Sequence, residues 1–332
     1  MNNAKPSNQL NYPNIRDVYI AHKRIKPFVV KTPLIASQEL SLCFDKSILL
    51  KLENLQEIGA FKIRGAANKI LSLSEDVRSR GVATFSTGNH GLAVAYMAKK
   101  LAIPAYICIS SRVPDVKVNS LKKLGANIEI YGKSQDEAER YCYQLAKEKS
   151  LTIIEPFDDP FVIAGQGTIG LEIIEVLPNI DTIIVPVSGG GLCAGIALVV
   201  KTLIPGIRVV GVSMENGAVM YHSLKAGKQV ALDEVDTLAD SLLGGLGEEN
   251  KYTFSMLAKY IDEFVLVSEE EIAQGMSYIF KNHKMVVEGA AATGVAALLK
   301  KGVKNVGDNV VTIISGNNVN ISSFVNATKD FL

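Results

Sequence analysis

The sequence lacks an excess of charge of either sign: across 332 residues, 35 lysines and arginines stand against 34 aspartates and glutamates. Nothing in that balance points to a nucleic-acid backbone or an anionic membrane, which are held by clustered positive charge, so small molecules are the expected partners. Cysteine is scarce. Cys43, Cys108, Cys142 and Cys193 are far apart, never in CxxC spacing, and each lies among apolar neighbours. They are expected to be buried thiols of a reducing compartment. The N-terminus has no basic start followed by an apolar core and a cleavage site, which predicts a cytoplasmic enzyme without a secretory signal. Internal repeats and low-complexity tracts are missing as well. One uncharged run, residues 182 to 200, is long enough to span a bilayer. However, Pro186 and three consecutive glycines would break a spanning helix, whereas strand, glycine loop and helix fit the same residues without strain.

What the sequence does contain is 48% hydrophobic residues, over a length greater than one compact layer usually holds, so two lobes are expected. Apolar β-type runs at 82–86, 105–109, 127–131, 182–187, 209–214 and 310–315 are interspersed with helical periodicity near 90–101, 115–124 and 135–149. Such alternation predicts an α/β fold of parallel sheets covered by helices. Residues 1 to about 12 are polar and are expected to be disordered.

Four segments pair reactive or polar groups with glycines that a packed core does not need. In ENLQEIGAFKIRGA, 53–66, Lys62 follows Phe61 and precedes a helix; an amine desolvated in such apolar surroundings loses its proton easily and becomes a nucleophile. STGNHG, 86–91, follows a strand and opens a helix. Its free backbone N–H groups and the hydroxyls of Ser86 and Thr87 suit a carboxylate or phosphate, although Ser, Thr and Asn also make ordinary caps and His90 could be a core or capping histidine. VSGGGLCAG, 187–195, repeats the strand–glycine–helix pattern suited to phosphate. It also fits GxGxxA through Gly189, Gly191 and Ala194, with Glu215 after the next strand, so an NAD(P)-dependent oxidoreductase is an alternative from another class. ISGNN, 314–318, ends the last strand in Ser315, at the carboxyl end of a sheet where ligands gather.

In this order and at these separations, AFKIRG, STGNHG, SGGGL and ISGNN resemble the threonine dehydratase and serine racemase family of pyridoxal-phosphate enzymes, of fold type II. The similarity runs from TPL at 32–34 through ISGNN. The segments LADSLLGGLGEENKYTF, 238–254, and GQGTIGLEI, 165–173, look most like the hydroxyectoine-utilisation dehydratase branch.

The resemblance implies a large cofactor-binding domain of residues 1–65 and 158–332, a small mobile domain of 66–157, and a homodimer. It implies pyridoxal 5'-phosphate held as a Schiff base on Lys62, with Phe61 against the ring and Asn89 at the ring hydroxyl oxygen. Ser188, Gly189, Gly190, Gly191 and Leu192 would bind the phosphate, and Ser315 would meet the pyridine nitrogen. Ser86, Thr87, Gly88, Asn89 and His90 would line the substrate carboxylate site, with Lys62, Ser86 and Thr87 taking part in catalysis.

The implied reaction removes water and ammonia from a small β-hydroxy amino acid, leaving a 2-oxo acid. Threonine or serine is the first choice, and hydroxyaspartate or a ring-opened hydroxyectoine derivative the second. Racemisation is disfavoured because Thr87 stands where racemases place a serine as second-face base. Ala60, Ser188 and Asn317 also depart from the family's usual serine, glycine and glycine. Ser213 and Val219 replace the two acids of metal-binding relatives, so no divalent-metal site is expected there. With few residues after the last motif, no regulatory domain is expected.

Overall fold

The computed structural model describes residues 10–113, 115–233, 235–247 and 249–332. Along the chain run α1 (Ile15–Ile25), β1 (Leu34–Ala36), α2 (Gln38–Phe44), β2 (Ser47–Lys51), α3 (Lys62–Ser72), α4 (Glu75–Ser79), β3 (Val82–Thr84) and α5 (Asn89–Lys100). Next come β4 (Ala105–Ile109), α6 (Asp115–Lys123), β5 (Asn127–Ile130), α7 (Gln135–Lys149), β6 (Thr152–Ile153), α8 (Pro160–Val176), β7 (Thr182–Pro186) and α9 (Gly191–Leu203). The last third contributes β8 (Arg208–Met214), α10 (Val219–Ala226), α11 (Thr253–Tyr260), β9 (Glu263–Val267), α12 (Glu269–His283), α13 (Gly289–Leu299), β10 (Asn309–Ile313) and α14 (Ile321–Thr328).

Two sheets result, of order β1-β2-β10-β7-β8-β9 and β5-β4-β3-β6. Every pairing is parallel except that of β1 with β2. The large sheet is buried on both faces, and the period of two along its strands sorts side chains between them. Ile183, Val185, Val209 and Val311 pack with residues of α8 and α9, while Ile184, Val210, Val212 and Val310 pack with residues of α12 and α13. In the small sheet, Ile107 and Ile109 join Val94 and Met97 on one side. On the other, Cys108 joins Cys142 and Leu145 of α7.

Several helices start where local chemistry demands. Asn14 with Asp17, Ser134 with Glu137 and Ser268 with Glu271 form reciprocal capping boxes. Asp159 caps α8, which has Pro160 in its first turn.

The predicted strands and helices are all present, with boundaries shifted by a residue or two. The apolar run from 182 to 200 is β7, a turn and α9, and among the described residues no helix is long and apolar enough to cross a membrane. Three cysteines are buried as expected, but Cys43 is exposed. It lies on a short helix whose one buried residue is Leu40, so apolar neighbours in sequence do not place it in the core. Of the N-terminal stretch expected to be disordered, residues 1–9 lie outside the described residues. Tyr12 is packed, its ring edge-on to Tyr252 with centroids 5.6 Å apart.

Candidate active site

Three of the four motifs lie just past the carboxyl ends of parallel strands: STGNHG after β3, SGGGL after β7 and ISGNN after β10. The fourth is joined to the β10 tip by its backbone. Asn54 N–H donates to Ile314 O at 2.9 Å, Phe61 N–H to Ser315 O at 3.0 Å, and Asn317 N–H to Gly59 O at 2.9 Å. Residues some 250 positions apart in sequence thereby become neighbours, and Lys62 opens α3 directly beside Ser315, which is buried.

The first turn of α3 is also held from within. Arg64, wholly buried, donates to both oxygens of Glu53 (2.7 and 2.8 Å) and both oxygens of Glu172 (2.7 and 2.9 Å). Lys51 adds a bond to Glu172 at 2.6 Å. Two cations and two anions thus neutralise each other in the interior, and the planar guanidinium fork matches two carboxylates as no other side chain can.

Lys62 Nζ donates to Pro156 O at 2.7 Å and lies 5.4 Å from the Phe61 ring centroid. Burial lowers its pKa from the ordinary 10.5 to about 8, against the upward pull of the nearby Glu288 carboxylate. The next residue, Phe157, packs on the glycine loop. A Cβ on Gly189 would stand 2.5 Å from the Phe157 ring and one on Gly191 would stand 2.8 Å from Phe157 O, so the loop passes where only glycine fits. Gly190 has φ +90° and precedes α9, whose first turn no side chain caps. Its N–H groups remain available to an anion, with Ser188 half-buried at the loop's start and Leu192 buried behind it.

At the other helix start, Ser86, Thr87 and Gly88 are half-buried and no side chain caps α5. A Cβ on Gly88 would meet nothing within 4 Å, whereas one on Gly91 would stand 1.9 Å from Ser86 O. Open space lies on one side of this turn and a tight backbone crossing on the other. Asn89 Nδ2 donates to Glu288 at 3.0 Å to each oxygen, and its Oδ1 accepts from Asn318 Nδ2 at 2.6 Å. Burial raises Glu288 to about 7, with hydrogen bonds from Asn89 and Ser241 opposing the shift and the Asp240 charge adding to it.

His90 is buried with Nε2 2.9 Å from Ile154 O, and Nδ1 has no partner. Burial first, and the Lys62 charge second, lower its pKa to about 3. The ring is therefore neutral, Nε2 carries the proton toward the carbonyl, and Nδ1 is an acceptor. It adds no positive charge at the helix start; only the backbone N–H groups and hydroxyls there can attract a carboxylate. Ser213 is buried in β8 and Val219 opens α10.

The residue types alone did not disclose Glu288, Asn318, Pro156, Phe157 or the Arg64 network. Arg64 stands inside AFKIRG, and Glu288 precedes the small-residue helix GAAATG, but neither position shows its partner until the chain is folded.

A reactive buried amine, an uncapped glycine-lined helix start and a fixed amide around one edge of parallel sheets define a site for a phosphate-bearing carbonyl cofactor. The residues present fit pyridoxal phosphate: the first turn of α9, capped by no side chain, offers its N–H groups to a phosphate, and Lys62 supplies the amine. The family model described as pyridoxal-phosphate dependent enzyme matches residues 25–316, and the chain belongs to that family.

Among its relatives, a putative threonine dehydratase of Sinorhizobium fredii is 43% identical over 330 residues, covering 97% of this chain and 99% of that protein. The L-threonine ammonia-lyase of Thermotoga maritima is 41% identical over 309 residues, covering 93% and 76%. The solved structure of maize serine racemase superposes with a TM-score of 0.90 at 34% identity, covering 96% of this chain and 97% of that one. Family membership sets aside the dinucleotide reading of Gly189, Gly191, Ala194 and Glu215.

Proposed function

We propose that this enzyme is a pyridoxal-phosphate-dependent ammonia-lyase that converts a small β-hydroxy amino acid, threonine or serine first, to a 2-oxo acid and ammonia. The observation that carries the reading is the buried Lys62 amine at the start of α3, shifted to about 8 and set between the Phe157-backed glycine loop and Asn89. The cofactor supplies a carbonyl for amine exchange and a conjugated ring that spreads negative charge from the substrate Cα.

The chain's own groups do the rest. The N–H groups of Ser188 to Leu192 hold a phosphate, and those of the Ser86–His90 helix start, with the two hydroxyls, orient the substrate carboxylate. Lys62, about half neutral at pH 8, is a base of suitable strength for the α-proton. Ser315 would meet the pyridine nitrogen with a hydroxyl, which cannot hold a proton there as a carboxylate would. Thr87, whose hydroxyl bonds no buried base among the described residues, serves the carboxylate better than it serves a second proton transfer.

The small lobe, 66–157, is proposed to close over the substrate, since Lys117 of α6 reaches across to Asp240 of the large lobe at 3.3 Å. Homodimerisation, by family resemblance, and a cytoplasmic location are part of this proposal.

A panel assay of 2-oxo acid and ammonia release tests the assignment. Threonine and serine are expected to turn over fastest; a longer hydroxy amino acid far ahead of both would replace the substrate class, and racemisation without ammonia release would replace the reaction. A separate check reads Lys62 itself. Cofactor uptake by the apoenzyme requires the neutral amine, so its rate should rise with pH, level off above about 8, and not continue climbing toward 10.5. A rate still rising steeply at pH 10 counts against a desolvated lysine.

A further inference from the structure

Resting on the cofactor reading above, we propose that Glu288 is a positioning residue: together with Asn318 it locks the Asn89 side-chain amide in one of its two flip states and turns its remaining N–H toward the bound pyridoxal phosphate ring. An asparagine amide can present either its oxygen or its nitrogen, and only the hydrogen-bond network decides which. Here that network ends on one side in a main-chain carbonyl, which can only accept, and on the other in both oxygens of Glu288. Asn318 Nδ2 donates to Ile58 O at 2.8 Å, a main-chain carbonyl, which fixes the orientation of Asn318 and leaves the same NH₂ to donate to Asn89 Oδ1 at 2.6 Å. At the other side, both Glu288 oxygens lie 3.0 Å from Asn89 Nδ2, the geometry of an amide turned nitrogen-first toward the carboxylate. The two constraints agree, so each enforces the other.

The two carboxylate oxygens lie at equal distance, 3.0 Å, from the single nitrogen Nδ2. They subtend too narrow an angle for the two diverging amide hydrogens, so one hydrogen serves both oxygens in a forked bond. The second N–H of Asn89 is unspent. Asn89 is buried at the first position of α5, and an amide N–H held there without a partner costs stability until a ligand accepts it.

Glu288 has a built setting for this task. It precedes α13, and Gly316 of the β10 tip approaches so closely that a Cβ there would stand 2.7 Å from Glu288 Oε1. A buried carboxylate whose hydrogen-bond partners are neutral amides and hydroxyls is a poor way to stabilise a fold. Its geometric effect is specific: α5, which packs in the small lobe, is oriented by α13 and the β10 tip of the large one.

A double-mutant cycle on the cofactor-binding enzyme tests this. The dissociation constant for pyridoxal phosphate and the near-visible absorption of the bound cofactor would be read for Glu288→Ala, Asn89→Ala and the pair. Each single change is expected to weaken binding by about tenfold, the worth of one buried hydrogen bond, and to shift the absorption in the same direction. The double variant should lose no more than either single one, because Glu288 acts through Asn89. Glu288→Gln, which keeps shape and one acceptor oxygen, should recover most of the affinity and is the variant to read if the alanine form does not fold. Losses that multiply in the double variant, or wild-type affinity and absorption in Glu288→Ala and Glu288→Gln, overturn the positioning role while leaving the cofactor assignment standing. Failure of the wild-type chain to take up the cofactor overturns both.

Discussion

Lys62→Ala is expected to abolish 2-oxo acid and ammonia release, to a level indistinguishable from the cofactor free in solution, while the protein remains folded. The loss is so large because two roles end together: the covalent anchor for the cofactor and the base for the α-proton, each worth orders of magnitude in rate. The fold should survive, since the Lys62 amine is bonded to a single carbonyl, that of Pro156. Removing an amine whose charge is disfavoured by burial takes away a cost as well as a contact. Two measurements check this. Borohydride reduction of the wild-type enzyme followed by peptide mapping should place the pyridoxyl group on Lys62, and the melting temperature of Lys62→Ala should stay near that of the apoenzyme. A pyridoxyl group on another lysine, or substantial turnover in the variant, removes Lys62 from its role.

The second large effect is expected at Arg64, through stability. Replacing Arg64 by methionine fills much of the same volume but leaves Glu53 without a cation that donates to it and Glu172 with Lys51 alone. Breaking a buried ion network by removing one partner costs about 3–5 kcal/mol, because an uncompensated charge stays in the interior. The exposed pair of Lys31 with Glu175 offers the contrast within the same protein. Lys31→Met should change stability by no more than about 1 kcal/mol, since water and salt already screen that pair. Denaturant melts of the two variants side by side decide the matter. Equal stability of Arg64→Met and Lys31→Met would show that the buried network contributes nothing. Arg64→Lys should fall between, as it restores the charge but not the fork that grips two carboxylates at once.

The linkage of Glu288 to pH has a defined sign. Its pKa is raised in the folded protein from the ordinary 4.5 to about 7, so between those values the folded state binds more protons than the unfolded one. The contribution of this group is therefore fully present below about 4.5 and is lost as pH rises through about 7. It opposes the usual carboxylate trend, and Glu53, lowered through Arg64, contributes in the ordinary sense.

Much of the molecule could be read before it was folded, and the reasons differ from element to element. The runs 182–187, 209–214 and 310–315 announce central parallel strands because both of their faces are apolar. The strands not read from the sequence are β1 and β6, of three and two residues, the edge strand β9, whose burial is only partial, and β2, an interior strand between β1 and β10. Short edge strands owe their conformation to a neighbour's hydrogen bonds, and no period of three or fewer residues can signal that. The exposed Cys43 shows the same limit: its neighbours in sequence are apolar, but the face it occupies was chosen by how α2 lies on the sheet.

What the sequence by itself determined is the chemistry. Lys62 in its apolar setting, glycines ahead of two helices and small polar residues at the end of the last strand each carry a local physical meaning that survives in any context where they meet. What only the tertiary structure decided is who meets whom. Hydrogen bonds between 54–61 and 314–318 bring Lys62 beside Ser315, Pro156 and Phe157 join the amine to the glycine loop, and Glu288 is set against an asparagine 199 positions away. Burial, pKa and amide orientation are properties of those encounters, because desolvation and hydrogen bonding depend on neighbours in space, which a linear order of residues does not contain.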